Sequence, residues 1–126
     1  MDRKEIKQDY KNNPPPLGIF QIQNAKNNKL LIGSTMDLTR VWNRHHFQLR
    51  MGCHVNQALQ SDWSACGPEA FSFEVLETVN QEKVPQEDWR DTLAGLEKKW
   101  LEKLQPYGDR GYNKPPAARR QTYEKN

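Results

Sequence analysis

The pattern that most constrains the fold of this chain is a pair of short apolar segments joined by a polar turn. Residues 17–23 and 29–33 are rich in Leu and Ile, and residues 24–28 between them consist mainly of Asn and Lys. Two β-type runs on either side of such a turn predict an antiparallel hairpin. The hairpin supplies the first two strands of a small sheet.

Three helices are predicted in the rest of the chain. Asp37 is a suitable N-cap for a helix that runs to Met51, and Gly52 closes it. Apolar residues at helical spacing predict a second helix over residues 55–65 and a last helix over residues 86–104.

A third strand is predicted between the second and last helices, because apolar and polar side chains alternate over residues 71–77. The expected fold class is therefore α+β, a small three-stranded antiparallel sheet flanked by helices in the order β-β-α-α-β-α. All four tryptophans fall on apolar stripes and are expected to be buried: Trp42, Trp63, Trp89 and Trp100.

The length of 126 residues fits one small domain, which we place at residues 17–113. Residues 1–16 form a charged segment that ends in a proline spacer, and residues 114–126 form a basic tail with no apolar periodicity, expected to be disordered. No apolar run reaches the roughly 20 residues of a spanning helix, and none follows the N-terminus as a secretory signal would.

The two cysteines, Cys53 and Cys66, are too few for a disulfide framework and are typical of reduced cytosolic thiols. We therefore expect a soluble cytoplasmic protein. A zinc cluster of His45, His46, Cys53 and His54 is disfavoured, because neighbouring residues in sequence make poor ligand pairs.

Basic residues are concentrated in the first half of the domain. Residues 26–54 contain Asp37 as their one acidic residue, whereas the stretch from 67 to 113 is acidic overall. This asymmetry fits a surface for a polyanion, although a solvated helix face would give the same pattern. The candidate nucleic-acid-binding residues are Lys29, Arg40, Arg44 and Arg50.

Two polar residues fall inside apolar stripes. Glu97 lies between Leu93 and Leu101 on the last helix, and His45 lies on the apolar face of the first helix. A carboxylate in that position should be paired, protonated or bound to a metal, unless it reaches solvent at the rim of the stripe. His45 is either a functional group or a core histidine with its hydrogen bonds satisfied.

The chain also resembles the GIY-YIG nucleases, and within them the nuclease module of phage homing endonucleases. Two segments resemble the paired Gly-Ile-Tyr and Tyr-Ile-Gly strands of that family, and further short motifs follow in the same order over about residues 17–113. The motifs are Gly18-Ile19-Phe20, Leu31-Ile32-Gly33-Ser34-Thr35, Asp37-Leu38, Trp42, Arg44-His45, Gly52-Cys53-His54, Leu59-Gln60, Phe73-Glu74-Val75-Leu76-Glu77, Glu97-Lys98-Lys99-Trp100 and Gly111-Tyr112-Asn113.

The resemblance implies a site for metal-dependent hydrolysis of phosphodiester bonds. Glu97 matches the glutamate that binds one divalent metal, Mg²⁺ or Mn²⁺, and His45, His54 and Asn113 match further site positions of the family. The metal contacts the scissile phosphate, a tyrosine helps to activate water, and an arginine stabilises the developing charge.

Three positions depart from the family pattern, and each has lost its polar group. Phe20 and Leu31 stand where the family has tyrosines, and Val41 stands where it has an arginine. Arg40 is adjacent in sequence but points about 100° away on a helix. Losing even one charge-stabilising donor commonly lowers the rate by about 10²–10³.

Several functions are compatible with these residues. We expect a nucleic-acid-binding module, with DNA as the favoured ligand, that is weak or inactive as a nuclease. One alternative is an active DNA endonuclease in which the lost groups are replaced by Arg40, Arg44, His46 or Tyr112. Another is a module that binds a protein partner or forms a homo-oligomer through the edge of its hairpin.

Overall fold

The computed structural model describes residues 14–115 as a three-stranded antiparallel sheet with helices on both faces. The predicted α+β class and element order are confirmed. The elements are β1 (Gly18–Asn24), β2 (Leu30–Thr35), α1 (Val41–Arg50), α2 (Gln57–Cys66), β3 (Phe71–Thr78) and α3 (Trp89–Leu104). The predictions for the N-terminal segment and for most of the tail fall on residues 1–13 and 116–126, which lie outside the described residues.

β1 is the central strand of the sheet, with β2 on one side and β3 on the other. The predicted hairpin of β1 and β2 is present, and Asn28 in its turn adopts a positive φ of 63°, which Asn tolerates better than most residues. A register shift between Ile19 and Phe20 interrupts the pairing of β1 with β3. Successive side chains of β1 still point to opposite faces of the sheet, so they pack into different cores.

Each face of the sheet buries its own hydrophobic core. Phe20 and Ile22 pack with Val41 and Leu49 of α1 and with Leu59 of α2. The opposite face carries a second core, in which α3 covers the sheet; its buried members are Leu17, Ile19, Ile32, Val79, Trp89 and Leu93. Any side chain of the sheet therefore belongs either to the α1–α2 side or to the α3 side.

The starts of the predicted helices need correction. α1 begins at Val41 rather than at Asp37, because the Asp37 carboxylate accepts a hydrogen bond from the backbone N–H of Thr39 (3.0 Å) and holds residues 38–40 in a turn. α3 begins at Trp89, since Pro85 leads into a short 3₁₀ helix over Gln86–Asp88. α1 ends at Arg50, one residue before the predicted Met51, and Gly52 follows with a φ of 75°.

Two of the four tryptophans are buried as expected, Trp63 and Trp89. Trp42 and Trp100 are only partly buried, each at the edge of its core. Within residues 14–115, no helix has the length and apolar character needed to cross a membrane.

Candidate functional site

The three apolar replacements lie on the α1–α2 side of the sheet. Phe20 is 3% exposed, Val41 is 1% exposed, and Leu31 packs against the same core. The Phe20 ring fills the space above Gly33, where an added Cβ would lie 2.7 Å from the ring. Among the buried members of this core, Tyr112 alone carries a hydroxyl, and that hydroxyl donates to Asp62.

His45 and His54 meet beside this packing. His45 Nδ1 lies 2.7 Å from His54 Nε2, and the His45 ring centroid lies 5.5 Å from that of Phe20. The backbone N–H of Asn56 donates to His54 Nδ1 at 3.0 Å, so that this nitrogen carries no proton. In the neutral pair, His54 Nε2–H then donates to His45 Nδ1, and the proton of His45 is on Nε2.

Both imidazoles are held in the neutral form. Burial, the neighbouring His54 and Arg44 together lower the pKa of His45 from 6.5 to about 4. Burial also lowers the pKa of His54. At neutral pH the pair therefore contributes no positive charge for a phosphate group, and His45 offers only an N–H donor.

The position of His54 is fixed by α1 and α2 together. Gln60 of α2 accepts a hydrogen bond from the backbone N–H of His54 and donates another to the Leu49 carbonyl near the end of α1, both at 3.0 Å. Asn56 caps α2 by accepting from the Leu59 N–H at 3.0 Å. His54, in the loop between α1 and α2, is therefore tied to both helices.

Glu97 is on α3, the helix that packs on the face of the sheet opposite α1 and α2. It is partly buried and lines an open cavity of about 250 Å³ at the end of β2, together with Ser34, Thr35, Met36, Arg90, Leu93 and Ala94. The two salt bridges among residues 14–115 involve other carboxylates, those of Asp37 and Glu77. The Glu97 carboxylate thus has room beside it for a ligand.

The oxygen atoms of this cavity fit one small divalent cation. Mg²⁺ prefers carboxylate, hydroxyl and water oxygens, and it is often held by one or two carboxylates together with substrate phosphates. Glu97 supplies one carboxylate and Ser34 carries a hydroxyl at the same cavity, whereas the Thr35 hydroxyl already bonds to the Asp37 backbone. Within the described residues, no three His, Cys, Asp or Glu side chains form a metal-binding cluster. The fit is therefore to a site that needs water or phosphate to complete its coordination.

Asn113 fastens the C-terminal segment to β2. Its amide accepts from the Ile32 N–H at 2.9 Å and donates to the Ile32 carbonyl at 2.8 Å, and Gly111 forms a parallel bridge with Leu30. The outer edge of β2 is thereby covered at residues 30–32, where the hairpin was a candidate surface for oligomerisation. Asn113 thus holds β2, which carries Leu31 on the α1–α2 side and ends at the cavity beside Glu97.

Three of the four residues considered as substitutes for the lost groups, Tyr112, His46 and Arg40, are engaged elsewhere, and Arg44 is exposed on α1. The Tyr112 hydroxyl donates to Asp62 at 2.6 Å, and burial together with this carboxylate raises its pKa to about 12. His46 lies between the rings of Trp42 and Trp63, with centroids 5.4 Å from each. Arg40 pairs with Asp37 at 3.7 Å on the outside of the turn. None of these three reaches the apolar packing around Phe20 with a free polar group.

Three of the four predicted nucleic-acid-binding cations are exposed on α1 or its first turn: Arg40, Arg44 and Arg50. Lys29 is half-buried at the hairpin turn, with its ammonium 5.8 Å from the centre of the Tyr112 ring. No Asp or Glu occurs between residues 38 and 61. The outer face of α1 is accordingly a positively charged surface.

The structure brings together only part of the predicted site. His45 and His54 are in contact, Glu97 borders a cavity at the end of β2, and Asn113 lies along the edge of β2. Sequence reasoning missed Asn56 and Gln60, which position the pair. An Asn directly before a helical stretch is a recognisable N-cap signal, but the bond from its backbone N–H to His54 depends on the folded turn.

Comparisons with known proteins agree with this fold. The GIY-YIG catalytic domain family matches residues 16–113. The intron-associated endonuclease 1 of Enterobacteria phage T4 is 34% identical over 87 residues, which is 69% of this chain and 32% of that protein. This chain thus spans about a third of the length of that relative.

Two solved structures are similar over most of the chain. The catalytic domain of the homing endonuclease I-TevI superposes with a TM-score of 0.64 at 33% identity, covering 79% of this chain and 98% of that one. A point mutant of the catalytic domain of the intron endonuclease I-TevI gives a TM-score of 0.63 at 33% identity, covering 78% and 92%.

Proposed function

Because this chain belongs to the GIY-YIG catalytic domain family, we propose that it is a nucleic-acid-binding GIY-YIG module whose phosphodiesterase site is weak or inactive. DNA is the expected ligand. The observation that carries the proposal is the burial of Phe20 and Val41 in one apolar core, at positions where the family pattern has a hydroxyl and a guanidinium.

Transition-state stabilisation is what this site lacks. Hydrolysis of a phosphodiester needs a group that activates water and donors that stabilise the charge developing on phosphorus-bound oxygens. The residues around Phe20 and Val41 are mainly apolar; the polar groups on this side of the sheet include the neutral histidine pair, His46 between two tryptophan rings, and the Tyr112 hydroxyl, which donates to Asp62. His45 can donate one hydrogen bond to a phosphate oxygen, but it cannot supply the charge of the missing arginine.

A divalent cation, when bound, would polarise a phosphate oxygen and stabilise a leaving group. Glu97 would hold it, with the Ser34 hydroxyl as a neighbouring oxygen ligand. Without a water-activating group and a cationic clamp, the expected contribution of Glu97 is to phosphate binding rather than to efficient cleavage.

The positive charge on the outer face of α1 supports the proposed nucleic-acid binding. The exposed guanidiniums of Arg40, Arg44 and Arg50 lie in a stretch of chain that is free of carboxylates from residue 38 to residue 61. Neutralising phosphates with such side chains releases counterions and makes affinity depend on salt. The expected binding is therefore electrostatic and only weakly selective for sequence.

The test of binding is fluorescence anisotropy with labelled DNA over a series of salt concentrations. Changing Lys29, Arg40, Arg44 and Arg50 together to Ala should weaken binding and reduce the slope of log affinity against log salt by up to about 3–4, since each phosphate contact contributes about 0.9. The matched control removes four exposed cations elsewhere: Lys83, Lys98, Lys103 and Arg110. Equal losses in the two variants, or binding that ignores salt, would favour a protein-interaction role.

Nicking of supercoiled plasmid tests the proposal that the phosphodiesterase site is weak or inactive. With Mg²⁺ or Mn²⁺ the purified protein should nick barely above background, and Glu97→Ala should change little. Strong nicking that disappears in the Glu97→Ala variant would establish the alternative, an active endonuclease with substituted catalytic residues.

A further inference from the structure

α1 exposes two large apolar side chains on its outer surface. Phe47 is 53% exposed and Met51 is 64% exposed. They are four residues apart, which places them one above the other on a helix. Single exposed apolar residues are ordinary on protein surfaces, but an aromatic ring with an adjacent methionine forms a small apolar patch.

Three arginines surround this patch. At about 100° per residue, Arg40, Arg44 and Arg50 all lie within about 60° of Phe47 around the α1 axis. All three are exposed, and α1 and its flanking turns contain no carboxylate after Asp37 until residue 62. We call the surface formed by Arg40, Arg44, Phe47, Arg50 and Met51 the arginine face.

The arginine face points away from the histidine pair. Phe47 follows His45 by two residues and so lies about 200° from it around the helix. His45 turns toward Phe20 and the sheet, whereas the Phe47 ring faces solvent. The arginine face is therefore on the opposite side of α1 from His45.

The guanidiniums and the exposed ring of the arginine face indicate which kind of ligand it can bind. A second copy of the chain would bring arginines against arginines across a two-fold contact, which is unfavourable. Guanidiniums that flank an exposed ring instead match a ligand that presents phosphates beside an accessible base plane. Aromatic side chains in basic surfaces bind unpaired bases by stacking, whereas the stacked bases of an intact duplex offer no free plane.

We propose that the arginine face binds DNA at unpaired bases, in single strands or at bulges, with Phe47 stacking on a base. Arg40, Arg44 and Arg50 contact the flanking phosphates, and Met51 packs against the edge of the stacked base. This inference rests on the proposed nucleic-acid binding and adds the structural class of DNA that is recognised.

Anisotropy with three labelled DNAs of one sequence tests the proposal: a single strand, a duplex with a two-base bulge, and an uninterrupted duplex. The wild-type protein should prefer the first two. Phe47→Ala should weaken binding of the single strand and the bulge by about 5- to 150-fold, the range expected for loss of one base-stacking contact. Binding of the uninterrupted duplex should change less than 2-fold, because it depends on the arginines.

Two further variants control for side effects. Phe47→Trp keeps a stacking surface and should retain the preference for unpaired bases. Val75→Ala removes another exposed apolar side chain, 41% exposed on β3, and should bind all three DNAs as the wild type does. Circular dichroism checks that each variant folds.

The alternative outcomes are distinguishable. Equal affinity for all three DNAs, together with no effect of Phe47→Ala, would overturn the stacking proposal while leaving nucleic-acid binding intact. Absence of binding to any DNA would remove the proposed function itself. Displacement of DNA by polyglutamate, with Phe47→Ala weakening polyglutamate binding, would assign the arginine face to an acidic protein and would also overturn the proposal.

Discussion

At the residue scale, His45 carries the clearest dependence on pH. Its pKa of about 4 in the folded protein lies below the ordinary value of 6.5. Between these values the unfolded chain binds a proton that the folded protein does not, so the free energy of unfolding falls as the pH is lowered from 6.5 toward 4.

Urea denaturation at pH 7 and pH 5 measures this effect. The denaturation midpoint should be lower at pH 5, and His45→Gln should reduce the difference. His46→Gln removes an imidazole outside the pair; if it reduced the pH dependence of the midpoint equally, the effect would not belong to His45.

Nitrogen-15 NMR at pH 7 should also show the proton on Nε2 of both His45 and His54, as their hydrogen bonds require.

At the element scale, β1 approaches β3 too closely for any side chain at Gly18. A Cβ added there would overlap the Glu77 carbonyl oxygen and would lie 2.8 Å from Thr78 Cα. Both neighbours are backbone atoms of β3, and moving them would disturb the pairing of Gly18 with Thr78. Gly18→Ala should therefore cost about 3 kcal/mol or more of stability.

The matched control for this substitution is Gly95→Ala on α3. A Cβ added at Gly95 would meet no atom within 4 Å, and Ala favours a helix by about 1 kcal/mol over Gly. The two substitutions should thus shift the urea midpoint in opposite directions. A stable Gly18→Ala variant would mean that β3 can move away from β1 at its end.

At the scale of the whole molecule, restoring the three family residues should increase cleavage and at the same time lower the stability of the fold. The triple change Phe20→Tyr, Leu31→Tyr and Val41→Arg should raise nicking of plasmid with Mg²⁺ or Mn²⁺, because it returns two hydroxyls and a guanidinium. Adding Glu97→Ala should abolish the gain. No gain in a folded triple variant would mean that the loss of activity extends beyond these three positions.

The same triple change should weaken the fold. Val41 is 1% exposed, and an uncompensated charge in such a position costs about 3–5 kcal/mol. For a domain of this size a loss of about 3 kcal/mol corresponds to a Tm lower by roughly 10–25 °C. Thermal melts of Val41→Arg alone and of the triple variant measure this cost, and nicking should be compared below the lower Tm.

Periodicity in the sequence determined which elements form. Alternation and helical spacing predicted three strands and three helices in the observed order. The reason is that apolar residues which recur on one face of a strand or helix mark the face that is buried. The same reasoning placed Arg40 outside and His45 inside α1. Helix starts were predicted less well: Asp37 bonds to Thr39 in a turn instead of capping α1, which local sequence does not distinguish.

Tertiary structure alone decided how the polar residues are grouped. His45 and His54 meet because Gln60 ties His54 to the end of α1, and the short motifs do not reveal that Glu97 borders a cavity at the end of β2. Burial of Phe20 and Val41 in one core likewise depends on α1 packing over β1. Composition and period fix which face of an element is apolar, whereas distances between polar groups depend on contacts between residues far apart in the chain.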